Sequence, residues 1–342
     1  MTEQLKGKPS NFGSATIYDI AQLAGVNPST VSRALNKPGR INPQTEAKIR
    51  EAAKQLNYRA NPMARSLPTG RTKMLALMIA DITNPVFFDA VRGAERSAAK
   101  LGYTTVISES QESSVREASA LERILPAVDG IMFITSRLSD SEIQDLAGSK
   151  PVVLMNRKVE GVDDVVPDFG TGLNQAVEHL KELGHQRIAF LAGPEKAWMS
   201  NHRWQLILDS ALEHGMNVVE IGPTEPTVQG GRDSFRLVHA AGVTAVITYN
   251  DIMAVGLMKQ AQEQGVIVPE DLSVVGIDDI FATDLTTPGL TTVKTPLQES
   301  GELAVAKLLQ LMGDDIAQPI FGPEGLSTKL KTRGSTAAPK AI

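Results

Sequence analysis

Residues 16–36, TIYDIAQLAGVNPSTVSRALN, have the apolar spacing and the polar end residues of two short helices. In the first half, apolar residues recur at i, i+3, i+4 and i+7 and therefore share one helical face: Ile17, Ile20, Ala21 and Ala24. Thr16 stands three residues before Asp19, which is the spacing of a capping box and predicts the start of this helix. Gly25 is expected to end it.

A second helix is expected directly after the turn. Asn27 can cap it, and Pro28 can take the first position, where the missing N–H costs no hydrogen bond. Its apolar residues, which can pack on the first helix, are Val31, Ala34 and Leu35. The residues left pointing outward are Pro28, Ser29, Thr30, Ser32, Arg33 and Asn36. This pattern predicts a helix-turn-helix, whose second helix is shaped to enter a major groove; a helical hairpin that only pads a domain is the alternative.

The next residues favour an independent three-helix module over a helical hairpin inside a larger domain. Asn42 and Pro43 predict the start of a third helix, whose apolar face comprises Ile49, Ala52, Ala53 and Leu56. The segment NYRANPMARSLPTGR then follows at 57–71, and within it 61–67 can form a short helix that begins with an Asn-Pro pair. So short a segment needs an outside contact to stay helical, because isolated helices below roughly 12 to 15 residues are marginal in water.

Length and charge indicate a basic module attached to an acidic body. The chain has 342 residues, which predicts about two or three domains. Residues 1–72 hold eleven Lys and Arg against four Asp and Glu, a net charge of +7, whereas the remainder carries −12. A basic module suits DNA phosphates, and an acidic body avoids indiscriminate binding to them.

Several function classes are disfavoured by composition. There is no cysteine, so disulfides, thiolate metal sites and cysteine nucleophiles are excluded. The apolar run LALMIA at 75–80 is far shorter than the roughly 18 residues of a membrane span. The start, MTEQLKGKPSNFGS, is polar and lacks the apolar centre of a signal peptide, so we expect a cytoplasmic protein.

From Lys73 onward, short aliphatic runs alternate with amphipathic segments. The predicted strands are 74–81, 104–109, 130–135, 152–156, 163–168, 187–193, 217–222, 244–250, 272–279 and a late strand near 326–333. Helices are expected between them, for instance at 87–101, 172–183, 251–264 and 303–312. This alternation predicts an α/β fold with parallel sheets, and its length predicts two doubly wound lobes that divide near residue 165. Ligands of such folds bind at the carboxyl ends of strands, so a cleft between the lobes is the expected site.

Polar and aromatic residues follow these strands and suit a small polyhydroxy ligand. Amides, a guanidinium and a carboxylate can bind hydroxyls, and an aromatic ring can stack on a sugar face. The strand-end candidates are Asn84, Phe87, Asn156, Arg157, Asn250 and Asp278. Each could instead form a turn or cap a helix, and we interpret Asp251 as a helix cap and Asp279 as a turn residue.

Residues 16–67 resemble the headpiece and hinge of the LacI-type (lactose and galactose repressor) family of bacterial transcription regulators. The resemblance implies that the hinge helices of a dimer enter the minor groove, with Ala64 at that contact and Leu67 as a wedge between base pairs. Pro68 departs from the family pattern, because it restricts Leu67. We expect Arg33 to read a base, Ser29 and Thr30 to contact bases or methyl groups beside Pro28, and Tyr18, Ser32 and Asn36 to hold phosphates.

Residues 73–335 resemble the sugar-sensing core of the same family, which is itself similar to periplasmic ribose-binding proteins. The resemblance adds Arg203, Trp198 and Thr295 to the effector-site candidates. Three positions depart from the family pattern: Asn156 stands where aspartate is frequent, Leu206 where glycine is usual, and Thr295 where the ribose binders have glutamine. The resemblance therefore does not identify the ligand. The implied domains are an arm (1–15), a headpiece (16–60), a hinge and linker (61–72), an N-lobe (about 73–166 and 296–323), a C-lobe (about 167–292 and 325–335) and a disordered tail (336–342).

These observations predict a homodimeric, ligand-responsive repressor that needs no metal or cofactor. The expected effector is a sugar or a polyol such as inositol, and a nucleoside or purine, or a corepressor-dependent mode, is the alternative. An enzyme is the main alternative class. Its nearest motif is GTGLNQ at 170–175, which lacks the third glycine of a dinucleotide fingerprint. A transport binding protein would share the lobes but not the headpiece. The tail has no heptads, which disfavours a tetramer held by a coiled coil.

Overall fold

The structure is a computed structural model that describes residues 15–36, 39–58, 70–314 and 325–340. The chain divides into two compact units, Met1–Thr72 and Lys73–Ile342, which are called the headpiece unit and the core unit below. No helix in the described part of the chain is both long and apolar enough to cross a membrane.

The headpiece unit contains the three helices that the sequence predicts: α1 Ile17–Ala24, α2 Pro28–Asn36 and α3 Pro43–Gln55. A capping box between Thr16 and Asp19 starts α1, and Gly25 ends it in the left-handed conformation at φ +67°. Asn42 caps α3 by accepting a hydrogen bond from the backbone N–H of Gln44 at 2.9 Å. The buried core of the unit consists of Ile20, Ala21, Val31, Ala34, Ile49 and Ala52.

The core unit alternates strands and helices as predicted. Its strands are β1 Met74–Ile79, β2 Thr104–Glu109, β3 Gly130–Ile134, β4 Val152–Met155, β5 Asp163–Val165, β6 Arg187–Leu191, β7 Asn217–Ile221, β8 Ala245–Thr248, β9 Ser273–Asp278, β10 Thr291–Lys294 and β11 Lys329–Lys331. Its helices are α4 Val86–Lys100, α5 Ser114–Ile124, α6 Asp140–Ala147, α7 Phe169–Glu182, α8 Trp198–Glu213, α9 Val228–Ala240, α10 Asp251–Glu263 and α11 Leu297–Leu311, with short 3₁₀ turns at Leu125–Ala127 and Phe281–Asp284.

Two sheets define two lobes. The N-lobe sheet has the order β2-β1-β3-β4-β5 and is parallel throughout, and α11 returns to pack against α4 on one of its faces. The C-lobe sheet has the order β11-β10-β9-β8-β6-β7, with only β11 antiparallel. Because helices cover both faces of a parallel sheet, its strands are buried and apolar, which explains why the sequence pattern revealed most of them.

Strand β10 is absent from the sequence prediction. Its sequence, TTVK, opens with two threonines, yet Thr291 and Thr292 are fully buried. Thr292 donates a 2.6 Å hydrogen bond to Asp251 Oδ1, and Thr291 Oγ1 accepts one from the Arg333 backbone N–H at 2.9 Å. Buried hydroxyl groups with partners are stable in a core, so a polar-looking run can still be a strand that is paired on both sides.

The prediction of a disordered tail over 336–342 is wrong as far as Lys340. Ala337 and Ser273 exchange hydrogen bonds at 3.0 and 3.1 Å, and His185 Nε2 donates to Ala337 O at 3.0 Å. Lys340 reaches Asp271 at 2.5 Å. Burial lowers the pKa of His185, so its neutral form holds the tail against the C-lobe.

The C-lobe depends on a contact between two helices at paired glycines. A Cβ atom at Gly256 of α10 would lie 2.0 Å from Val228 O, and one at Gly231 of α9 would lie 2.1 Å from Met253 O. Only glycine allows the two backbones to approach this closely.

We therefore expect Gly256→Ala to lower the free energy of unfolding of the core unit by about 1 to 3 kcal/mol, because α9 and α10 must separate. Gly148→Ala is the matched control, since its Cβ would be 3.4 Å from its nearest neighbour and its φ is −66°. Urea unfolding followed by circular dichroism measures both variants, and equal stability of the two would contradict the close-contact explanation.

Candidate functional site

The outward face of α2 in the headpiece unit carries the predicted DNA-contact residues. Ser29 and Arg33 are exposed, and Pro28, Thr30 and Ser32 are partly exposed. Tyr18 on α1 is 68% exposed, so its ring does not belong to the core of the headpiece unit. The α2 face therefore presents hydroxyl groups and one guanidinium to solvent.

The remaining DNA-contact candidates are less defined. Asn36 is the last residue of α2. Ala64 and Leu67 lie outside the described residues, as does the predicted hinge helix. Leu23 on α1 was not singled out from the sequence, although it is 51% exposed.

In the core unit, a cavity lies where the carboxyl edges of the two sheets face each other. Its free volume is about 40 Å³, and its walls come from both lobes. Six of the nine predicted effector residues line it: Asn84, Phe87, Asn156, Arg203, Asn250 and Asp278. The edge-of-sheet argument thus predicts the location of the cavity.

A buried ion pair forms the C-lobe wall. Arg203 Nη2 donates to Asp278 Oδ1 at 3.0 Å, and both side chains are at most 5% exposed. Arg203 Nη1 also donates to the backbone carbonyl of Tyr249. The guanidinium lies 4.7 Å from the centre of the Phe169 ring and 5.0 Å from that of Tyr249. Within the described part of the chain, Arg203 Nε is buried and has no hydrogen-bond partner.

Asp278 at this wall and the neighbouring buried carboxyl group of Asp251 have raised pKa values. Burial raises the pKa of Asp278 to about 6, although Arg203 and Thr295 oppose the shift. Burial raises the pKa of Asp251 well above its ordinary range, and the charge of Asp278 adds to this effect. Asp251 accepts hydrogen bonds from Thr292 Oγ1 at 2.6 Å and from the Ile280 backbone N–H at 2.9 Å.

The N-lobe wall combines amides, a ring and a second ion pair. Asn84 and Phe87 come from the segment that begins α4, and Asn156 follows β4 in the left-handed conformation at φ +57°. Glu112 and Arg137 face the same cavity. The two walls together offer hydrogen-bond donors and acceptors on opposite sides of a ligand, with aromatic rings beside them.

Three predicted effector residues lie outside the cavity lining. Arg157 is buried and donates to the carbonyl oxygens of Ser136 (3.1 Å) and Leu138 (2.6 Å), so it holds the loop after β3. Trp198 stacks on His202 with ring centres 4.7 Å apart. Thr295 lies behind the wall, where its Oγ1 is 3.5 Å from Asp278 Oδ1.

The interpretation of Asp251 as a helix cap is wrong. Asn250 caps α10, because its Oδ1 accepts from the Met253 backbone N–H at 3.0 Å. Asp251 is instead a buried residue of the first turn of α10. Asp279, interpreted as a turn residue, does adopt φ +58°. Its Oδ1 also forms an ion pair with Arg333 Nη2 at 2.6 Å.

Sequence reasoning missed several residues of the cavity. They are Val86, Glu112, Ile134, Thr135, Arg137, Met199, Pro226, Tyr249 and Leu297. The rule that polar residues gather after strands could have found Thr135 and Arg137, which are the first and third residues after β3. Nothing in the local sequence distinguishes Glu112 from other loop carboxylates.

Comparison with known proteins agrees with both parts of this arrangement. Residues 16–61 match the profile of bacterial regulatory proteins, lacI family, and residues 177–336 match a periplasmic binding protein-like domain. Over 334 residues the chain is 32% identical to the HTH-type transcriptional repressor CytR of Escherichia coli (strain K12), covering 95% of this chain and 97% of that protein. The chain belongs to the lacI family of bacterial regulatory proteins.

Other relatives of this lacI-family regulator agree. The ribose operon repressor of Escherichia coli (strain K12) is 33% identical over 334 residues, covering 94% of this chain and 99% of that one. A crystal structure of the lac repressor dimer bound to operator and the anti-inducer ONPF superposes with a TM-score of 0.83 at 26% identity, covering 95% of this chain and 100% of that chain. The predicted family, fold class and role in transcription regulation are thereby confirmed.

The Asp278 carboxyl makes the stability of the core unit depend on pH. Because its folded pKa of about 6 exceeds its ordinary value of 3.8, its stabilising contribution is complete below pH 3.8 and is lost as the pH rises through about 6. We expect the stability difference between the native protein and Asp278→Asn to fall by about 1 to 1.5 kcal/mol from pH 5 to pH 7.5. Urea unfolding at both pH values measures it. The exposed Asp209→Asn should show no such change.

Arg33 is expected to read a base through its forked guanidinium. Arg33→Lys keeps the charge but loses the fork, so we expect specific affinity to fall by about 1 to 3 kcal/mol while non-specific affinity is unchanged. Fluorescence anisotropy with a duplex selected from random sequences, and with a scrambled duplex, gives both affinities. An unchanged ratio between the two duplexes would exclude base reading by Arg33.

Proposed function

We propose that this regulator is a repressor that binds a near-palindromic operator as a homodimer and is released when a small sugar or polyol binds between its lobes. The observation that carries the proposal is the Arg203–Asp278 pair, buried in a cavity with walls from both lobes, in a chain that also has a helix-turn-helix. The lac repressor structure, a dimer on its operator, supports the dimer and the operator.

The chemistry of the cavity suits hydroxyl groups. A hydroxyl can donate one hydrogen bond and accept others, so neighbouring hydroxyls of a sugar can bind a carboxylate and a guanidinium at once. Asn84, Asn156 and Asn250 add amide groups that can donate and accept. The ring of Phe87 offers an apolar surface for the C–H face of a sugar. Related structures contain cellobiose or ribose, which supports a carbohydrate effector here.

Release of DNA would follow from the two-lobed architecture. A ligand that contacts the edges of both sheets favours the lobe orientation in which both sets of contacts form, and it shifts the population toward that state. If this state binds operator more weakly, the effector and the operator weaken each other's binding by the same factor. The proposed operator contacts are Tyr18, Pro28, Ser29, Thr30, Ser32, Arg33 and Asn36, with Ala64 and Leu67 in the minor groove.

A nucleoside effector is the second candidate. The rings of Phe87 and Tyr249 both border the cavity, and a base could stack on either of them while its ribose occupies the Arg203–Asp278 wall. A ligand that tightens operator binding would instead make the protein a corepressor-dependent regulator of the same family.

We propose ligand binding without catalysis, in the cytoplasm, where the operator DNA is found. The relatives are transcriptional regulators, which supports this reading. The glycine-rich start of α7, which suggested a dinucleotide site, has a packing role. A Cβ at Gly172 would lie 2.5 Å from Thr328 Oγ1, so this glycine admits Thr328 rather than a phosphate.

The test is a thermal-shift screen of the purified protein against pentoses, hexoses, inositol, sugar phosphates, nucleosides and purines, followed by operator titration with each hit. A ligand at 100 times its Kd should add about 2.7 kcal/mol to the stability of the protein. A sugar or polyol that stabilises the protein and releases operator supports the proposal. Stabilisation by nucleosides alone, or none by any compound, would contradict it.

Asp278→Ala is expected to bind operator but not to respond to the hit, because truncation leaves the Arg203 charge unpaired and typically costs about 2 to 5 kcal/mol of binding. Asp209→Ala, an exposed aspartate on α8, is the matched control and should respond normally. Anisotropy of labelled operator with increasing effector measures both. A normal response by Asp278→Ala would remove that carboxyl from the effector site.

A further inference from the structure

A second guanidinium–carboxylate pair faces the cavity from the N-lobe. Arg137 Nη2 lies 2.6 Å from Glu112 Oε2, and Arg137 Nε donates to the same oxygen at 2.7 Å. The Arg137 side chain is 6% exposed and that of Glu112 is 28% exposed. Both residues border the cavity that Arg203 and Asp278 border from the opposite lobe.

The surrounding structure holds this pair in place. The backbone N–H of Arg137 donates to Glu117 Oε2 at 2.8 Å, and Glu117 is only 1% exposed. The Glu112 backbone N–H donates to the carbonyl of Ala80 at 3.2 Å, at the end of β1. Glu112 also adopts φ +58°, a conformation that few residues other than glycine occupy without support. The pair is therefore fixed in position before a ligand arrives.

The charged residues that line the cavity balance, whereas those that line the neighbouring groove are acidic. The lining contains two guanidinium groups and two carboxylates, each joined in a pair. Beside the cavity lies a groove of about 680 Å³, which shares Glu112 and Pro226 with it and is also bordered by Asp81, Glu109 and Glu225. Among the described residues that line this groove, four are acidic and none is Lys or Arg. A ligand that passes along the groove meets negative charge first.

We infer that the Glu112–Arg137 pair selects an uncharged polyhydroxy effector and rejects its phosphorylated form. Arg137 donates to one hydroxyl of the ligand while Glu112 accepts from a neighbouring one. A phosphate group at the same place meets the Glu112 carboxylate, and like charges across an interface suppress the wrong partner. This inference rests on the proposed sugar or polyol effector, and it names Glu112 as the residue that discriminates against a negatively charged form of that effector.

Isothermal titration calorimetry of the full chain with matched ligand pairs tests the inference. The probes are D-ribose and D-ribose 5-phosphate, D-glucose and D-glucose 6-phosphate, and myo-inositol and myo-inositol 1-phosphate. We expect the native protein to bind at least one uncharged member at least about tenfold more tightly than its phosphate, a difference of about 1.4 kcal/mol.

Glu112→Gln should reduce that discrimination at least about tenfold, because the amide keeps the shape but removes the charge. Glu112→Asp, which keeps the charge, should retain most of it. Glu122→Gln is the matched control, since Glu122 is exposed on α5 outside the groove and the cavity, and it should leave the ratio unchanged.

Each other outcome contradicts a distinct claim. If the native protein binds the phosphate as well as the uncharged member, the selectivity claim is wrong while the proposed function stands. If Glu112→Gln weakens both members equally, the residue is structural. If no member of any pair binds, the proposed effector class fails, and the inference fails with it. If Glu112→Gln does not fold, the exposed Glu225→Gln should shift the ratio in the same direction by a smaller factor, and no shift overturns the claim.

Discussion

The geometry of parallel β-sheets determines where this regulator can bind a ligand. Parallel strands all end at the same edge, and helices cover both faces, so the carboxyl edge is the part of each sheet that is free for polar side chains. Here two such edges face one another, and Arg203, Asp278, Glu112 and Arg137 lie between them. The interior of the cleft is charged, but each charge has a partner. Isolated buried charges would be costly, whereas paired ones with hydrogen bonds can be retained.

Close helix packing supports this arrangement in both lobes. In the C-lobe, α9 and α10 touch at Gly231 and Gly256. In the N-lobe, α11 approaches α4 at Gly301, where a Cβ would lie 2.2 Å from Ala90 O, and at Gly93, where it would lie 2.0 Å from Gln298 O. Backbones this close leave little room for adjustment within a lobe, so under the proposed function a ligand between the lobes would change their mutual orientation rather than their interiors.

The local sequence predicts the headpiece more completely than it predicts the cavity. The caps at Thr16 and Asn42 and the left-handed Gly25 follow from short-range hydrogen bonds and backbone sterics, so the local sequence is enough to predict them. In the core unit, the strand-end rule selected Asn84 and Asp278, which line the cavity, but it also selected Arg157, which donates to backbone carbonyls instead. A residue after a strand has several partners within reach, and the choice among them depends on loops that are distant in sequence.

The sequence by itself determined the helix-turn-helix, the alternation of strands and helices, and the sheet edge at which the cavity lies, because helical periodicity, capping and strand hydrophobicity are local properties. Only the tertiary structure decided that Thr291 and Thr292 lie in a buried strand paired on both sides, that Ala337 is hydrogen-bonded to His185, and that Glu112 pairs with Arg137. These features join residues 25 to 152 positions apart. Such pairs form only when the sheets and loops bring them together, and no pattern along the chain encodes that approach.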